Sequence, residues 1–218
     1  MKQVIILGGI GNGSVIAHAI RDTASYPHPQ FQVAGFLNDR LLVGTTIEGF
    51  PVLGKLLDVH QFLDDGYLVI NTIYRIDGNS RRIKRFEKLA IPWERMATFI
   101  HPRAYVAPGA KLHPGCVVLP NASISPGAEI GTGSLIMVNA TVGHNSILDS
   151  YCHCAAQSCI SSFVKVGKGV HIGLNATVGD GLKVGDFSTL AMGSVLTRNL
   201  PAGEIWAGNP ARFLREIR

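Results

Sequence analysis

The sequence has no apolar run long enough to cross a bilayer, and it is poor in aromatic residues and in cysteine. The missing run excludes a membrane-spanning helix within these 218 residues. Because Met1, Lys2 and Gln3 lead directly into an apolar segment, we expect no signal peptide, no membrane contact and a cytoplasmic location. Aromatic side chains make up only 7% of the chain and the basic residues are spread along it. The net charge of +5 therefore does not indicate a nucleic-acid partner.

What the chain has in abundance is a repeat of six residues between positions 100 and 201. An aliphatic side chain occupies every sixth position from Ile100 to Leu196, with Cys154 as the one exception, and a second, usually small, residue follows four positions later. A period of six fits neither an amphipathic helix nor an open sheet, but it fits a solenoid whose faces each take one repeat. Because three faces close one coil, we expect a parallel β-helix of five to six coils in which residues three repeats apart stack.

Glycine often follows the aliphatic position of this repeat. We interpret these glycines as corners where the backbone φ is unusual and a β-carbon is costly. They are Gly131, Gly143, Gly167, Gly173, Gly179 and Gly185.

Three of the four cysteines lie close to a histidine, since Cys152, His153, Cys154 and Cys159 fall within eight residues. Such a cluster is typical of a metal site. The repeat, however, points Cys152 and Cys154 into the coil and His153 and Cys159 away from it, so their ligand atoms do not converge. We therefore interpret the cysteines as reduced core residues, which fits a reducing compartment and predicts no metal.

The chain before the repeat has a different pattern, which predicts a small domain over residues 1–97 and a second domain over 98–218. Continuous apolar runs predict three buried strands, and helical patterns follow the first and the third of them. The strands are predicted at 4–7, 32–37 and 67–72, and the helices at 15–21 and 80–89. This is about half of a doubly wound, Rossmann-like α/β sheet, too little for a complete NAD site.

The turn between the first strand and the first helix is rich in glycine and is a candidate phosphate or ribose site. Gly9 and Gly11 allow the backbone to approach a ligand, and the helix after Asn12 offers free N–H groups. Asn38 and Asp39 end the second strand, where a carboxylate can meet a ribose or a base. A turn in which Asn38 and Asp39 bond to their own backbone is an equally good interpretation.

An outward-facing histidine is the only plausible general base in the repeat, because neutral imidazole is abundant near pH 7. The candidates are His101, His113, His144, His153 and His171. His153 follows His144 after nine residues, and His171 stacks on His153 one coil later. Surface histidines are more often inert, so the pattern alone does not choose among them.

Four features together resemble one family: the six-residue repeat, the short Rossmann-like domain with Asn38 and Asp39, the motif Val142-Gly143-His144, and the ending Gly208-Asn209-Pro210-Ala211-Arg212. The chain resembles the bacterial sugar acetyltransferases of the left-handed β-helix superfamily. It is most similar to the nucleotide-linked 4-amino-sugar N-acetyltransferases of the bacillosamine pathway type. The resemblance implies a left-handed coil and a homotrimer with active sites between subunits. It also implies acetyl-CoA as co-substrate and a UDP- or dTDP-linked amino sugar as acceptor.

The resemblance also implies roles for particular residues. His144 matches the general base that takes a proton from the sugar amine, and His153 matches a group near the acetyl carbonyl. The implied acetyl-CoA contacts are His153, Ala156, Ser162, Leu174, Met192 and Arg212, and the implied nucleotide-sugar contacts are Gly9, Gly11, Asn12, Asn38 and Asp39. Two positions depart from the family: Asn145 stands where an acidic residue commonly follows the base, and Asn12 stands where a histidine is often found.

Three other functions remain open on this sequence. A sugar O-acetyltransferase of the sialic acid type would use the same base and co-substrate. A metalloenzyme of the carbonic anhydrase type shares the β-helix, although the spacing of the outward histidines does not fit its ligand set. A non-catalytic trimeric scaffold would bind the nucleotide without turnover.

Overall fold

The computed structural model describes residues 1–74 and 76–218. The chain begins with a five-stranded sheet in the order β3-β4-β2-β1-β5, parallel except for the antiparallel pair β3 and β4. Its elements are β1 (Lys2–Leu7), α1 (Asn12–Asp22), β2 (Phe31–Leu37), β3 (Thr46–Ile47), β4 (Phe50–Gly54), α2 (Val59–Asp64), β5 (Leu68–Asn71) and α3 (Asn79–Glu87). Three single turns of 3₁₀ helix lie at Thr23–Ser25, Leu56–Asp58 and Trp93–Arg95. The three strands and two helices expected from the sequence are confirmed, with ends shifted by up to three residues.

The central strand β1 is buried on both faces of this sheet. Val4 and Ile6 pack with Ile16 of α1, whereas Ile5 and Leu7 pack on the other face with side chains of α2 and α3. Side chains alternate across a strand, so a continuous aliphatic run suits a strand with helices on both sides. The first part of the chain is therefore a small doubly wound α/β unit.

From Phe99 onward the chain forms 17 two-residue strands that wind around a triangular core. The first face contains β7 (Tyr105–Val106), β10 (Ser123–Ile124), β13 (Thr141–Val142), β16 (Cys159–Ile160), β19 (Thr177–Val178) and β22 (Val195–Leu196). The second face contains β8 (Lys111–Leu112), β11 (Glu129–Ile130), β14 (Ile147–Leu148), β17 (Lys165–Val166) and β20 (Lys183–Val184). The third face contains β6 (Phe99–Ile100), β9 (Val117–Val118), β12 (Leu135–Ile136), β15 (His153–Cys154), β18 (His171–Ile172) and β21 (Thr189–Leu190), and it continues into β23 (Glu204–Ala207) and β24 (Arg212–Glu216).

The register of the coil confirms the six-residue period. Each strand pairs in parallel with the strand three repeats away, as Val142 does with Ile124 and Ile160. The aliphatic positions and the small residues between them form one buried cluster, which includes Cys116, Cys152 and Cys154. The first coil is the exception because it has no coil beneath it: Ile100 is 42% exposed, and Val106 and Leu112 are only partly buried.

The prediction that the glycines after the aliphatic positions have an unusual φ is wrong. None of these six glycines has a positive φ. Their role is close approach, since a β-carbon at Gly143 would lie 2.5 Å from the backbone carbon of Ser161 in the next coil. The left-handed φ falls two residues later instead, as at Asn145 (φ 58°) and Gly133 (φ 67°).

The α/β unit packs against the third face of the coil. Val117, Leu119, Leu135 and Met137 lie on this face and are buried in a cluster with Val4, Ile6 and other residues of the first sheet. Full burial of one such side chain contributes about 1.5–3 kcal/mol to stability. The contact therefore holds the α/β unit directly above the third face, where the candidate site lies.

Candidate functional site

A cavity of about 680 Å³ lies between the third face and the first part of the chain. The first part contributes Asn12, Tyr74, Ile76 and Asp77 to its lining. Third-face strands contribute His153, His171 and Thr189, and the turns that leave this face contribute Ala156, Leu174 and Met192. The cavity therefore gathers Asn12, His153, Ala156, Leu174 and Met192 from the residues that the family resemblance implies.

The three turn residues form an apolar strip along the coil axis, at the corner between the third and the first face. Ala156, Leu174 and Met192 follow β15, β18 and β21 and stack one coil apart. Leu174 is 50% exposed and Met192 is 72% exposed. An exposed strip of this kind, beside a cavity, suits a long and thin ligand with apolar segments.

Two histidines on the third face are linked to Asn12 by hydrogen bonds. The Nδ2 atom of Asn12 lies 3.1 Å from Nε2 of His153, and Nδ1 of His153 lies 3.0 Å from Nδ1 of His171. The two imidazole rings stack with centroids 5.0 Å apart, and the Tyr74 ring stacks on His153 at 4.5 Å. His153 does point away from the coil, but it is buried, because Asn12 and Tyr74 of the first part cover it.

Burial makes this group of side chains electrically neutral at pH 7. Burial, and then repulsion by His171, lowers the pKa of His153 to about 3. Burial lowers the pKa of His171 to about 4. Burial also raises the pKa of the Tyr74 hydroxyl, which makes no hydrogen bond within residues 1–74 and 76–218. Neither histidine of the pair can therefore act as a cation near neutral pH.

His144 lies in a different setting, exposed at the corner where the first face turns into the second. Its Nδ1 lies 3.0 Å from Oδ1 of Asn145, and its ring meets the edge of Phe163 at 4.9 Å. An amide oxygen only accepts a hydrogen bond, so Nδ1 carries the proton and Nε2 keeps its lone pair. This tautomer is the one that a general base needs.

A carboxylate lies at the same edge of the coil as His144, although no acidic residue follows His144 in the sequence. Asp180 lies at the same corner two coils later, with Ser162 between them in the stack. Hydrogen bonds from the Ser161 hydroxyl and the Ser162 N–H lower the pKa of Asp180, and the charge of His144 lowers it further. Asp180 follows His144 by six repeats, and this spacing is the sequence signal that could have identified it.

His144 does not line the cavity of its own chain. The corner of His144 joins the first and second faces, so it is the edge of the triangular coil opposite the third face. Ser162 lies at that same edge and not with the apolar strip. The residues that the resemblance implies for one active site therefore fall on two separate surfaces of the chain.

The remaining residues from the sequence lie outside the cavity lining of the described chain. Asn38 donates to the Gly8 carbonyl at 2.7 Å and accepts from the N–H groups of Arg40 and Leu41. Asp39 accepts from the N–H of Leu56 and pairs with Arg85. The bonds of Asn38 to Arg40 and Leu41 are those of the turn interpretation, whereas Asp39 bonds outside its own turn.

Gly9 and Gly11 form the loop before α1, and a β-carbon at Gly9 would lie 2.8 Å from the Asn38 amide nitrogen. Arg212 begins β24, and its guanidinium donates to the Ala211 carbonyl at 2.9 Å. Gly9 therefore allows the close packing of Asn38, Gly11 is required by its φ of 100°, and Arg212 stays at the surface near the end of the third face.

Tyr74 is the site residue for which the sequence carried no signal. It follows β5 in the first part, and only folding brings it onto the histidine pair. Within residues 1–74 and 76–218, no three His, Cys, Asp or Glu side chains are placed to hold a metal ion. No helix of this part of the chain is long and apolar enough to span a membrane.

Comparison by sequence finds short matches. No family model matches the chain. Gamma carbonic anhydrases 1 and 2 of Arabidopsis thaliana, both mitochondrial, are 32% identical to it over 81 residues. The match covers 36% of this chain and about a quarter of the length of those proteins. This segment is too short to transfer the function of the plant proteins.

Comparison by structure finds likeness over the whole chain. A histidine mutant of perosamine N-acetyltransferase from Caulobacter crescentus, solved with CoA and GDP-perosamine, has a TM-score of 0.84 and 25% identity over 99% of this chain and 98% of its own. The acetyltransferase domain of PglB from Neisseria gonorrhoeae has a TM-score of 0.83 and 27% identity over 98% of this chain and 100% of its own, and was also solved with acetyl coenzyme A. The fold is therefore an α/β unit followed by a left-handed β-helix, and the resemblance to the hexapeptide-repeat sugar acetyltransferases is confirmed for the whole chain.

Proposed function

We propose that the protein is an acetyl-CoA-dependent N-acetyltransferase that acts on the amino group of a nucleotide-linked amino sugar. The observation that carries the proposal is the cavity between the α/β unit and the third face, with an apolar strip leading along the coil. Support comes from the similar structure of perosamine N-acetyltransferase, which contains both CoA and GDP-perosamine. Acetyl-CoA would supply the activated acetyl group.

The strip of Ala156, Leu174 and Met192 would hold the pantetheine arm of CoA. This arm is long, thin and largely apolar, and its length suits contacts on three successive coils. Arg212 would contact a phosphate of CoA from the end of the third face. The glycine loop before α1 and Asn12 would face the nucleotide sugar, because the N-terminal end of α1 is favourable for phosphate.

His144 would take the proton from the sugar amine as the nitrogen bonds to the acetyl carbon. An amine is a competent nucleophile once it is neutral, so direct transfer needs a base and no acyl-enzyme. The Nδ1–H of His144 is held by Asn145, which leaves Nε2 available to accept that proton.

A complete site would need two subunits. His144 lies opposite the third face in its own chain, so the cavity of one subunit would receive His144 from its neighbour. A homotrimer with three such interfaces satisfies this requirement for every chain. We place this enzyme in the cytoplasm, where acetyl-CoA is made and where buried thiols such as Cys152 stay reduced.

The experiment is thiol release from acetyl-CoA against a panel of amino sugars linked to UDP, dTDP and GDP, with sialic acid and other hydroxyl sugars as controls. Release with one nucleotide-linked amino sugar supports N-acetyltransfer and names the acceptor. Release only with a hydroxyl sugar would replace the proposal by O-acetyltransfer. Nucleotide binding without any release would replace it by a non-catalytic scaffold.

A further inference from the structure

The hydrogen-bond chain that starts at Asn12 fixes the proton positions on both buried histidines. The amide nitrogen of Asn12 can only donate, so Nε2 of His153 is an acceptor and carries no proton. A neutral His153 then carries its proton on Nδ1 and donates it to Nδ1 of His171. A neutral His171 must therefore carry its proton on Nε2.

Nε2 of His171 is the last atom in this series of hydrogen bonds. It makes no hydrogen bond with any described residue, and His171 lines the cavity, so this N–H is available to a ligand there. Both ring nitrogens of His153 are already used by Asn12 and His171. The free N–H donor of this group is thus on His171, not on His153.

The position of His171 indicates which acceptor it would meet. His171 and Leu174 belong to the same coil, the middle one of the three that carry the apolar strip. Once a ligand fills the cavity, this N–H loses contact with water and needs an acceptor on the ligand, because a buried donor without a partner is costly. The pantetheine arm has two amide carbonyls along its length, and one that passes the middle coil would lie beside this N–H.

We propose that His171 binds an amide carbonyl of the pantetheine arm of CoA through Nε2–H, and that His153 and Asn12 are positioning residues that fix its tautomer. The proposal rests on the proposed use of acetyl-CoA. The contact exists before any chemistry, so it acts on CoA affinity and on KM more than on kcat. Burial, which lowers the pKa of both histidines, keeps the donor neutral across the physiological range.

The first measurement is ¹⁵N NMR of the histidine side chains in the full-length protein at pH 7, with and without CoA. The expected result is a protonated Nδ1 on His153 and a protonated Nε2 on His171, with the His171 Nε2–H signal shifted by CoA. A proton on Nε2 of His153, or a His171 signal unmoved at saturating CoA, would overturn the proposal.

The second measurement is calorimetric titration of CoA into three variants. His171→Phe keeps a stacking ring without the N–H, and we expect about tenfold weaker CoA binding, the value of one hydrogen bond of about 1.4 kcal/mol. His171→Gln restores an N–H donor and should recover part of the affinity. His113→Phe, a surface histidine paired with Glu129 on the second face, is the matched control and should bind like the unsubstituted protein.

CoA affinity of His171→Phe within twofold of the unsubstituted protein would contradict the proposal. If His171→Phe fails to fold, the NMR of the unsubstituted protein still decides. Turnover with amino sugars is measured in parallel. If His171→Phe acetylates amino sugars and binds CoA as tightly as the unsubstituted protein, the His171 contact is contradicted and the proposed function stands. If CoA binding depends on His171 but no amino sugar is acetylated, the proposed function is contradicted and the contact stands.

Discussion

Two histidine sites of this chain differ in almost every physical respect although both belong to the same repeat. His144 is exposed at a corner and is oriented by its neighbour Asn145. His153 and His171 lie on the opposite face and are buried beneath Asn12 and Tyr74. His144 lies in a turn, whereas His153 and His171 begin strands of the third face, and within the described residues only the third face is covered by the α/β unit.

In the proposed mechanism, this difference would separate ligand binding from proton transfer. The covered pair is held neutral, with pKa values of about 3 and 4, so it can donate hydrogen bonds but cannot accept a proton from a substrate near pH 7. The exposed His144 keeps a free Nε2 and no cover of its own. In the proposed trimer, the neighbouring subunit would provide that cover.

The largest expected effect is loss of turnover in His144→Ala. General bases contribute about 100-fold or more to rate, so we expect at least that decrease in kcat with CoA affinity unchanged. Thiol-release kinetics measure it, with His113→Ala as the control that should retain normal turnover. Near-normal turnover in a folded His144→Ala assembly would show that His144 is not the general base, and the functional distinction between the two histidine sites would be lost.

A mixture of two inactive variants tests whether the sites meet across subunits. Leu174→Glu puts a carboxylate into the apolar strip, and it should abolish CoA binding while leaving His144 intact. When Leu174→Glu and His144→Ala are expressed together and assemble at random, about one site in four combines an intact His144 with an intact strip. We therefore expect about a quarter of normal turnover. Activity no higher than that of either variant alone would place both groups in one chain and contradict the shared site.

The coil was predictable from sequence because its signal is local. Once in every repeat an aliphatic side chain such as Ile130 or Val142 must enter the core, and this sets the register of each strand. The purpose of Gly143 was not predictable, since the backbone that excludes a β-carbon there belongs to Ser161, a full coil away. Glycine at a corner has two physical explanations, and only the stacked coil chooses between them.

The candidate site was predictable only in part. The stacking of His153 and His171 followed from the closure of one coil by three repeats and is confirmed. Their burial did not, because the cover comes from Tyr74 and Asn12, which lie far earlier in the chain and outside the repeat. The repeat predicts the direction in which a side chain leaves the coil. Whether water reaches that side chain depends on the α/β unit that packs against the third face.

Acid should destabilise the buried pair in a defined window of pH. Each histidine has a pKa of about 6.5 when unfolded and about 3 or 4 when folded, so between these values the unfolded chain binds protons that the folded chain does not. The free energy of unfolding should therefore fall as pH falls below 6.5, by about 1.4 kcal/mol per pH unit for each histidine.

Denaturant unfolding between pH 7 and pH 4.5, at fixed protein concentration, measures this slope. His171→Gln removes one of the two titrating rings, so its slope should be about half as steep. Equal slopes in the two proteins would show that His171 is not held neutral by burial, and the contrast between the covered and the exposed histidines would lose its basis.

The smallest expected effect concerns the orientation of His144. Asn145 has a φ of 58°, a conformation that glycine adopts without strain, so Asn145→Gly removes the acceptor for Nδ1–H while leaving the corner intact. Losing one hydrogen bond of this kind should lower kcat about 2- to 10-fold, with little change in the free energy of unfolding. Asn145→Asp keeps an acceptor at the same place and should retain or exceed normal turnover, because a carboxylate stabilises the imidazolium that forms during proton transfer. Equal kcat values in Asn145→Gly and the unsubstituted protein, from steady-state kinetics at saturating acetyl-CoA, would show that the bound substrate alone orients His144.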